Sequence, residues 1–149
     1  MAASAMDRCR TAGYQPDIEI LEEKTAGQRG AALAMFADCA GGARLGADQS
    51  GAPGRPAEAI GRQVARRLIE DLQTGATLDR FAADQIIPFA ALADGESRFS
   101  VPQVTDHMES SAWLAALFCD ARVHMQNHAL SVRGCGFFPR SERIMPPGA

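Results

Sequence analysis

A chain of 149 residues, 46% of them apolar and 22% charged, can build one compact core but leaves little for a second. Its formal net charge of -3 excludes a global basic field, so a nucleic-acid partner would have to be gripped locally. The four cysteines (Cys9, Cys39, Cys119, Cys135) form no CxxC pair, "MAASAM" lacks the basic start and apolar run of a leader, and no apolar run nears the roughly 18 residues of a membrane span; a reduced, soluble, cytoplasmic chain is expected.

The first residues show little periodicity. In "PDIEIL", Ile18 and Ile20 alternate with Asp17 and Glu19, which predicts a strand over residues 17–21. The charged, glycine-broken "LEEKTAGQRG" predicts a loop. "AALAMFADCA" predicts a more deeply buried strand, and "ARLGADQ", beyond Gly41 and Gly42, is the returning arm of a hairpin. Ile60, Val64, Leu68 and Leu72 recur every four residues, and Gly75 offers a left-handed stop. They predict a helix over residues 56–74 that opens on Pro56. Its other face pairs Glu58 with Arg62, Arg66 with Glu70 and Arg67 with Asp71 at i,i+4, the pattern of a solvated side.

"TLDRFAADQIIPFAALADG" is apolar enough for a buried helix or helical turn, strained or interrupted near Pro88. "SRFSVPQV" predicts a short strand, residues 108–118 a further helix, and residues 122–132 a hairpin turning at Asn127 and His128. The tail over residues 137–149 reads as irregular.

His107 stands where an extended segment hands over to an apolar helix. With Asp106 as N-cap and Glu109 three residues later, the pattern is a capping box, and His107 becomes the first helical residue. An imidazole there lies beside free backbone N–H groups, which keep it neutral and nucleophilic and also welcome phosphate; the Asp106 carboxylate pulls toward imidazolium. Asp84 and Gln85 place a carboxylate and an amide inside an apolar segment, where burial demands partners or a ligand. Cys119, His124, His128 and Cys135 are four metal donors in one stretch, but C-x4-H-x3-H-x6-C is a poor zinc spacing. The glycine-rich "GGARLGADQSGAPG" lacks the Gly-Lys-Ser/Thr ending of a P-loop and reads as hairpin and turn.

"AEAIGRQVA", "TGATLDRFAADQIIPFAALA", "SRF" and "VTDH", in that order and at those spacings, resemble the C-terminal part of the RNA 3'-terminal phosphate cyclases, over about residues 14–136. The resemblance implies an α+β fold in which helices pack on one face of small mixed four-stranded sheets. Residues 1–75 would be the back half of an inserted domain and residues 76–136 the closing unit of a large catalytic domain. In that family a histidine takes AMP from ATP, with a divalent cation (Mg or Mn), and passes it to an RNA 3'-phosphate end, which then closes to a 2',3'-cyclic phosphate. The family's "VT-x-H" histidine matches His107. Its ATP-contacting run matches Phe81, Ala82, Ala83, Asp84 and Gln85, with Phe81 where relatives commonly have tyrosine and Asp106 where they have an apolar residue. Full-length members are more than twice this long, so a missing N-terminal half or self-association is expected, together with inactivity of the isolated chain. A piece cut from inside the inserted domain would also leave strand edges and the apolar face around Leu33, Met35 and Phe36 without partners. The rival from another class is a non-catalytic relative acting in ribosomal RNA maturation, a branch without the histidine; retention of His107 and "ADQ" favours the enzyme.

Overall fold

The computed structural model describes residues 1–25, 27 and 30–137. It contains α1 (Ala2–Thr11), β1 (Ala32–Asp38), β2 (Arg44–Ser50), α2 (Ala57–Gln73), α3 (Ala82–Leu92), β3 (Glu96–Ser100), α4 (Asp106–Cys119), β4 (Arg122–Gln126) and β5 (Ala129–Arg133). The fold is α+β. In place of mixed four-stranded sheets, the described residues form a two-stranded sheet, β1-β2, and a three-stranded one ordered β3-β5-β4, with every pairing antiparallel.

In the first half, β1 and β2 run in register from Ala32 opposite Ser50 to Asp38 opposite Arg44. The deeper strand is β2 rather than β1: Leu45 and Ala47 are buried against Ile60, Val64 and Leu68 of α2, whereas β1 is only half-buried on its inward positions. Leu33 and Met35, expected to lack a partner, pack against the edges of these cores, and the exposed Phe36 ring carries the Arg44 guanidinium 4.8 Å from its centre. Beside α2 lies α1, which puts Ala5 and Cys9 against Ala65 and Ile69. Its two buried positions make too short a stripe to register as periodicity; the alanine-rich composition was the available signal.

Residues 17–21 are not a strand. Their alternation suits extended backbone, but a strand also needs a ladder, and Ile20 and Leu21 remain 76% and 81% exposed. Part of this segment instead rims a cleft of about 760 Å³ bounded by α1, β1 and α2. Pro56 is the N-cap of α2 rather than its first residue, and Gly75 takes the expected left-handed conformation at φ +68°.

The second half packs α3 and α4 together, with Ala83, Ile87, Ala90 and Ala91 of α3 meeting Met108, Ala115, Val101, Leu130 and Val132 in one core. Helix α3 is not interrupted at Pro88. That residue is exposed, so its ring meets solvent, and the loss is confined to the N–H that would have bonded the carbonyl of Asp84 four residues back. The carbonyl end of α3 is closed by the chain leaving β5: Cys135, Phe137 and Gly136 donate backbone N–H bonds of 2.9, 2.9 and 3.0 Å to Ala91, Leu92 and Ala93. This approach needs a glycine at 134, where a Cβ would fall 2.2 Å from the Ala93 carbonyl oxygen and 2.4 Å from that of Ala90. Of the tail, only Phe137 falls among the described residues.

Gly134→Ala should therefore lower stability by about 1–3 kcal/mol, read as a shift in the urea midpoint at unchanged slope, because the obstructing atoms are backbone. An unchanged midpoint would show that the strand and helix can part at no cost. Among the thiols, Cys135 is exposed, while burial pushes the Cys9 thiol above its usual range, an effect that Arg8 only partly opposes. In the folded chain Cys135 should alkylate before Cys9 by at least an order of magnitude in rate, measurable by mass mapping after iodoacetamide.

Candidate functional site

The segment between α2 and α3 uses its polar groups to join the two halves. Asp71, in the last turn of α2, is 1% exposed, contrary to its expected place on the solvated side. The Arg80 guanidinium donates to it through Nε at 2.9 Å and a terminal nitrogen at 2.6 Å, and the Arg80 backbone N–H donates at 3.1 Å. The same terminal nitrogen reaches Glu70 at 3.1 Å, and these carboxylates, Asp71 foremost, hold Arg80 firmly protonated. Of the pairs read from the sequence, Arg66–Glu70 forms at 3.7 Å, while Asp71 takes Arg80 in place of Arg67.

Asp79 bridges in another direction. One carboxylate oxygen accepts from the Gly46 N–H of β2 at 3.0 Å; the other accepts from the N–H groups of Phe81 and Ala82, at 2.9 and 2.8 Å, and so caps α3. The Thr77 N–H donates to the Ser100 carbonyl at 2.9 Å, and the Ser100 N–H donates back to the Thr77 hydroxyl at 2.9 Å. The beginning of α3 is thus fastened beside the end of β3.

From that end of β3 the chain runs through residues 101–105 into α4. The N-cap of α4 is Thr105, not Asp106: the Thr105 backbone is extended and its hydroxyl accepts from the Met108 N–H at 3.3 Å. His107 is consequently the second helical residue, Met108 stands where a capping box needs Glu, and Glu109 makes no reciprocal cap. At the same end, the Val101 N–H donates to the His128 carbonyl at 2.8 Å, and His128 Nδ1 lies 3.1 Å from the Val101 carbonyl oxygen.

The helix starts that carry residues 81–85 and His107 therefore share one end of the helical layer. Ala83 and Met108, beside Asp84 and His107 in the chain, meet in the same core. His107 and Gln85 are exposed, Asp84 and Ala82 are half-buried, and Phe81 is 40% exposed. The expectation of a buried Asp84–Gln85 pair fails because the Ala83, Ile87, Ala90 stripe takes the inward side and turns Gln85 to solvent. The Arg67 guanidinium stands 5.8 Å from the centre of the Phe81 ring, a residue that the i,i+4 reading had assigned to a solvated face. Asp106 and Glu109 place negative charge about His107 in the first turn. The four metal donors are dispersed: Cys119 ends α4, His128 lies at the opposite end beside Val101, and His124 faces Ser131 in the sheet. Among the described residues no group of three or more His, Cys, Asp or Glu side chains is placed to hold a metal ion.

The chain is α+β, with an exposed histidine in the first turn of one helix and an aromatic and a carboxylate at the start of the helix packed against it. Comparison with known proteins gives the family. The model described as "RNA 3'-terminal phosphate cyclase (RTC), insert domain" matches residues 1–73. The RNA 3'-terminal phosphate cyclase of Methanopyrus kandleri is 37% identical over 144 residues, covering 93% of this chain and 39% of the relative. That of Caldivirga maquilingensis is 33% identical over 137 residues, covering 89% and 38%. That of Hyperthermus butylicus is 56% identical over 63 residues, covering 42% and 18%. The chain belongs to the RNA 3'-terminal phosphate cyclase family, and it spans about two-fifths of the length of the Methanopyrus kandleri and Caldivirga maquilingensis relatives.

Arg80→Met should cost on the order of 3 kcal/mol in chemical denaturation, because it leaves Asp71 buried without its cation, and Asp71→Leu combined with Arg80→Met should recover part of that loss. Strict additivity of the two substitutions would show that the pair is not coupled.

Proposed function

We propose that this chain carries the nucleophile and one wall of the nucleotide site of an enzyme that converts an RNA 3'-terminal phosphate to a 2',3'-cyclic phosphate at the expense of ATP. The observation that carries this reading is the exposed His107 in the first turn of α4. There the open backbone N–H groups and the positive end of the helix dipole favour a phosphate against the ring.

In this reading a ring nitrogen of His107 forms a bond to the α-phosphorus of ATP and pyrophosphate leaves. The AMP passes to the RNA 3'-phosphate, which frees the histidine. The neighbouring ribose 2'-hydroxyl then attacks that activated phosphate, and AMP departs as the ring closes. Dividing one hard displacement into transfers through a covalent intermediate lowers each barrier. Phe81 offers a partly exposed face for a base, with Arg67 beside it, and Asp84 is half-buried in the first turn of the same helix. Asp106 and Glu109 repel a bare triphosphate. A divalent cation (Mg or Mn) would offset that charge; the described residues gather no ligand cluster of their own for it, so it would arrive on the nucleotide.

The test is to place this segment in the corresponding position of the Methanopyrus kandleri cyclase and supply ATP labelled in the α-phosphate. The hybrid should acquire an acid-labile covalent AMP and close a 3'-phosphorylated RNA end. His107→Ala should abolish the label, and Asp84→Ala should reduce it less completely. His124→Ala and His128→Ala should leave it nearly unchanged. The isolated chain should leave the RNA end as it was. Label that survives His107→Ala but disappears in His124→Ala or His128→Ala would overturn the assignment.

A further inference from the structure

The Cys39 N–H donates to the Ala43 carbonyl and the Gly51 N–H to the Ala31 carbonyl, and these two bonds fix the phase of the ladder between β1 and β2. Residues 45, 47 and 49 bond across to β1, so Gly46, opposite Phe36, turns its N–H to the outer edge of the sheet. There it meets one oxygen of Asp79 at 3.0 Å, while the other oxygen accepts from the Phe81 and Ala82 N–H groups at 2.9 and 2.8 Å. Three backbone donors from two elements thus converge on one half-buried carboxylate, and among the described residues no Lys or Arg is paired with it. The residue type matters. Closing a helix start takes a single acceptor, which Asn, Ser or Thr supplies as well as Asp. Of these capping types only Asp has an acceptor on both arms; Asn would satisfy the helix or the strand and present its NH2 to the other, donor against donor.

We propose that Asp79 is a positioning residue for the nucleotide site: it hangs the start of α3, with Phe81 through Gln85, from the outer edge of β2, so that the β1-β2 hairpin sets the affinity for ATP. This rests on the reading of residues 81–85 as one wall of that site. Asp79 acts through the N–H groups of Phe81 and Ala82, which it holds, and not on the ligand. The other ties of the same segment lead elsewhere, Arg80 to the end of α2 and Thr77 to the end of β3. Among the described residues the bond to Gly46 is the only hydrogen bond between this segment and the hairpin. A shift of roughly 1 Å in a positioning element can cost on the order of 100-fold. His107, by contrast, arrives on α4 behind the Thr105 cap, and Asp79 bonds to neither. Loss of the Gly46 link therefore weakens capture of the nucleotide and leaves the attacking ring in place, a separation of KM from kcat.

Asp79→Ser separates the two contacts, because its single hydroxyl can close the helix start but has no second arm for Gly46; Asp79→Ala removes both. In the chain itself, amide exchange at Gly46 should quicken about tenfold or more in Asp79→Ser while that at Ala82 holds. The urea midpoint should fall in Asp79→Ala and return most of the way in Asp79→Ser. In the hybrid with the Methanopyrus kandleri cyclase, carrying His107→Ala so that binding is read without chemistry, Asp79→Ser should weaken the Kd for ATP about fivefold or more. With His107 present, the same substitution should raise the KM for ATP in covalent labelling by a similar factor and leave the maximal rate within about twofold. An ATP affinity unchanged in Asp79→Ser, or one that follows the urea midpoint from variant to variant, would overturn the proposal. So would a Gly46 amide that exchanges alike with and without Asp79. A hybrid that binds no ATP would overturn it together with the wall on which it rests. A hybrid that takes no label, yet whose ATP affinity still depends on Asp79, would overturn the nucleophile assignment of His107 alone and support this one.

Discussion

A carboxylate sealed at the C-terminal end of a helix is doubly unfavourable: it is removed from water, and it faces the negative end of the helix dipole. Asp71 is in that position, and the last turn of α2 contains no basic residue to help it. The required cation comes from the following segment. Arg80 neutralises Asp71, touches Glu70, and lies 3.4 Å from the Arg67 carbonyl oxygen near the helix end. Once Arg80 is held there, the residues on either side of it have no freedom to wander. Asp79 must turn toward β2 and the first turn of α3, and Phe81 must begin its helix beside Arg67.

The candidate site follows from that clamp. Residues 81–85 are carried by a helix start that Asp79 caps, and Thr77 ties the same segment to the end of β3. His107 is delivered by the chain continuing from β3, through Val101, which is bonded on both its N–H and its carbonyl side to His128. Among the described residues no side-chain hydrogen bond joins the two helix starts: neighbouring elements position them, and His107 and Gln85 stay exposed. Such an arrangement leaves donors and acceptors open for a ligand in place of spending them on the fold.

Much of this was legible as pattern. The stripe of α2, the hairpin of β1 and β2, the returning β4–β5 arm and the helix after His107 all have the spacing that their structures require. What pattern could not supply was pairing. Alternation at residues 17–21 describes a backbone, and no ladder among the described residues takes it up. The i,i+4 rule joined Asp71 to Arg67 because it sees only one helix, whereas the charge was met from nine residues downstream. The N-cap fell one residue early because Asp106 and Thr105 are both capping types, and only the extended backbone at Thr105 decides between them. The place of His107 at a strand-to-helix junction was legible, and the structure puts it in the first turn of α4. The inward or outward sense of Asp84 and Gln85 was not, since the segment is apolar on nearly every side.

Pro88 withholds one rung from α3, since it has no N–H to offer the Asp84 carbonyl, and the helix is secured from outside on both sides of that gap. Beyond it, three backbone bonds stitch the helix end to the chain leaving β5; before it, Asp79 holds the N–H groups of Phe81 and Ala82 while reaching across to Gly46. Ala83 and Ile87, seated in the core, pin the span between. The helix is therefore framed like a beam set in two walls: its direction is fixed by what grips its ends, and the missing rung in the middle costs it a bond without costing it its place.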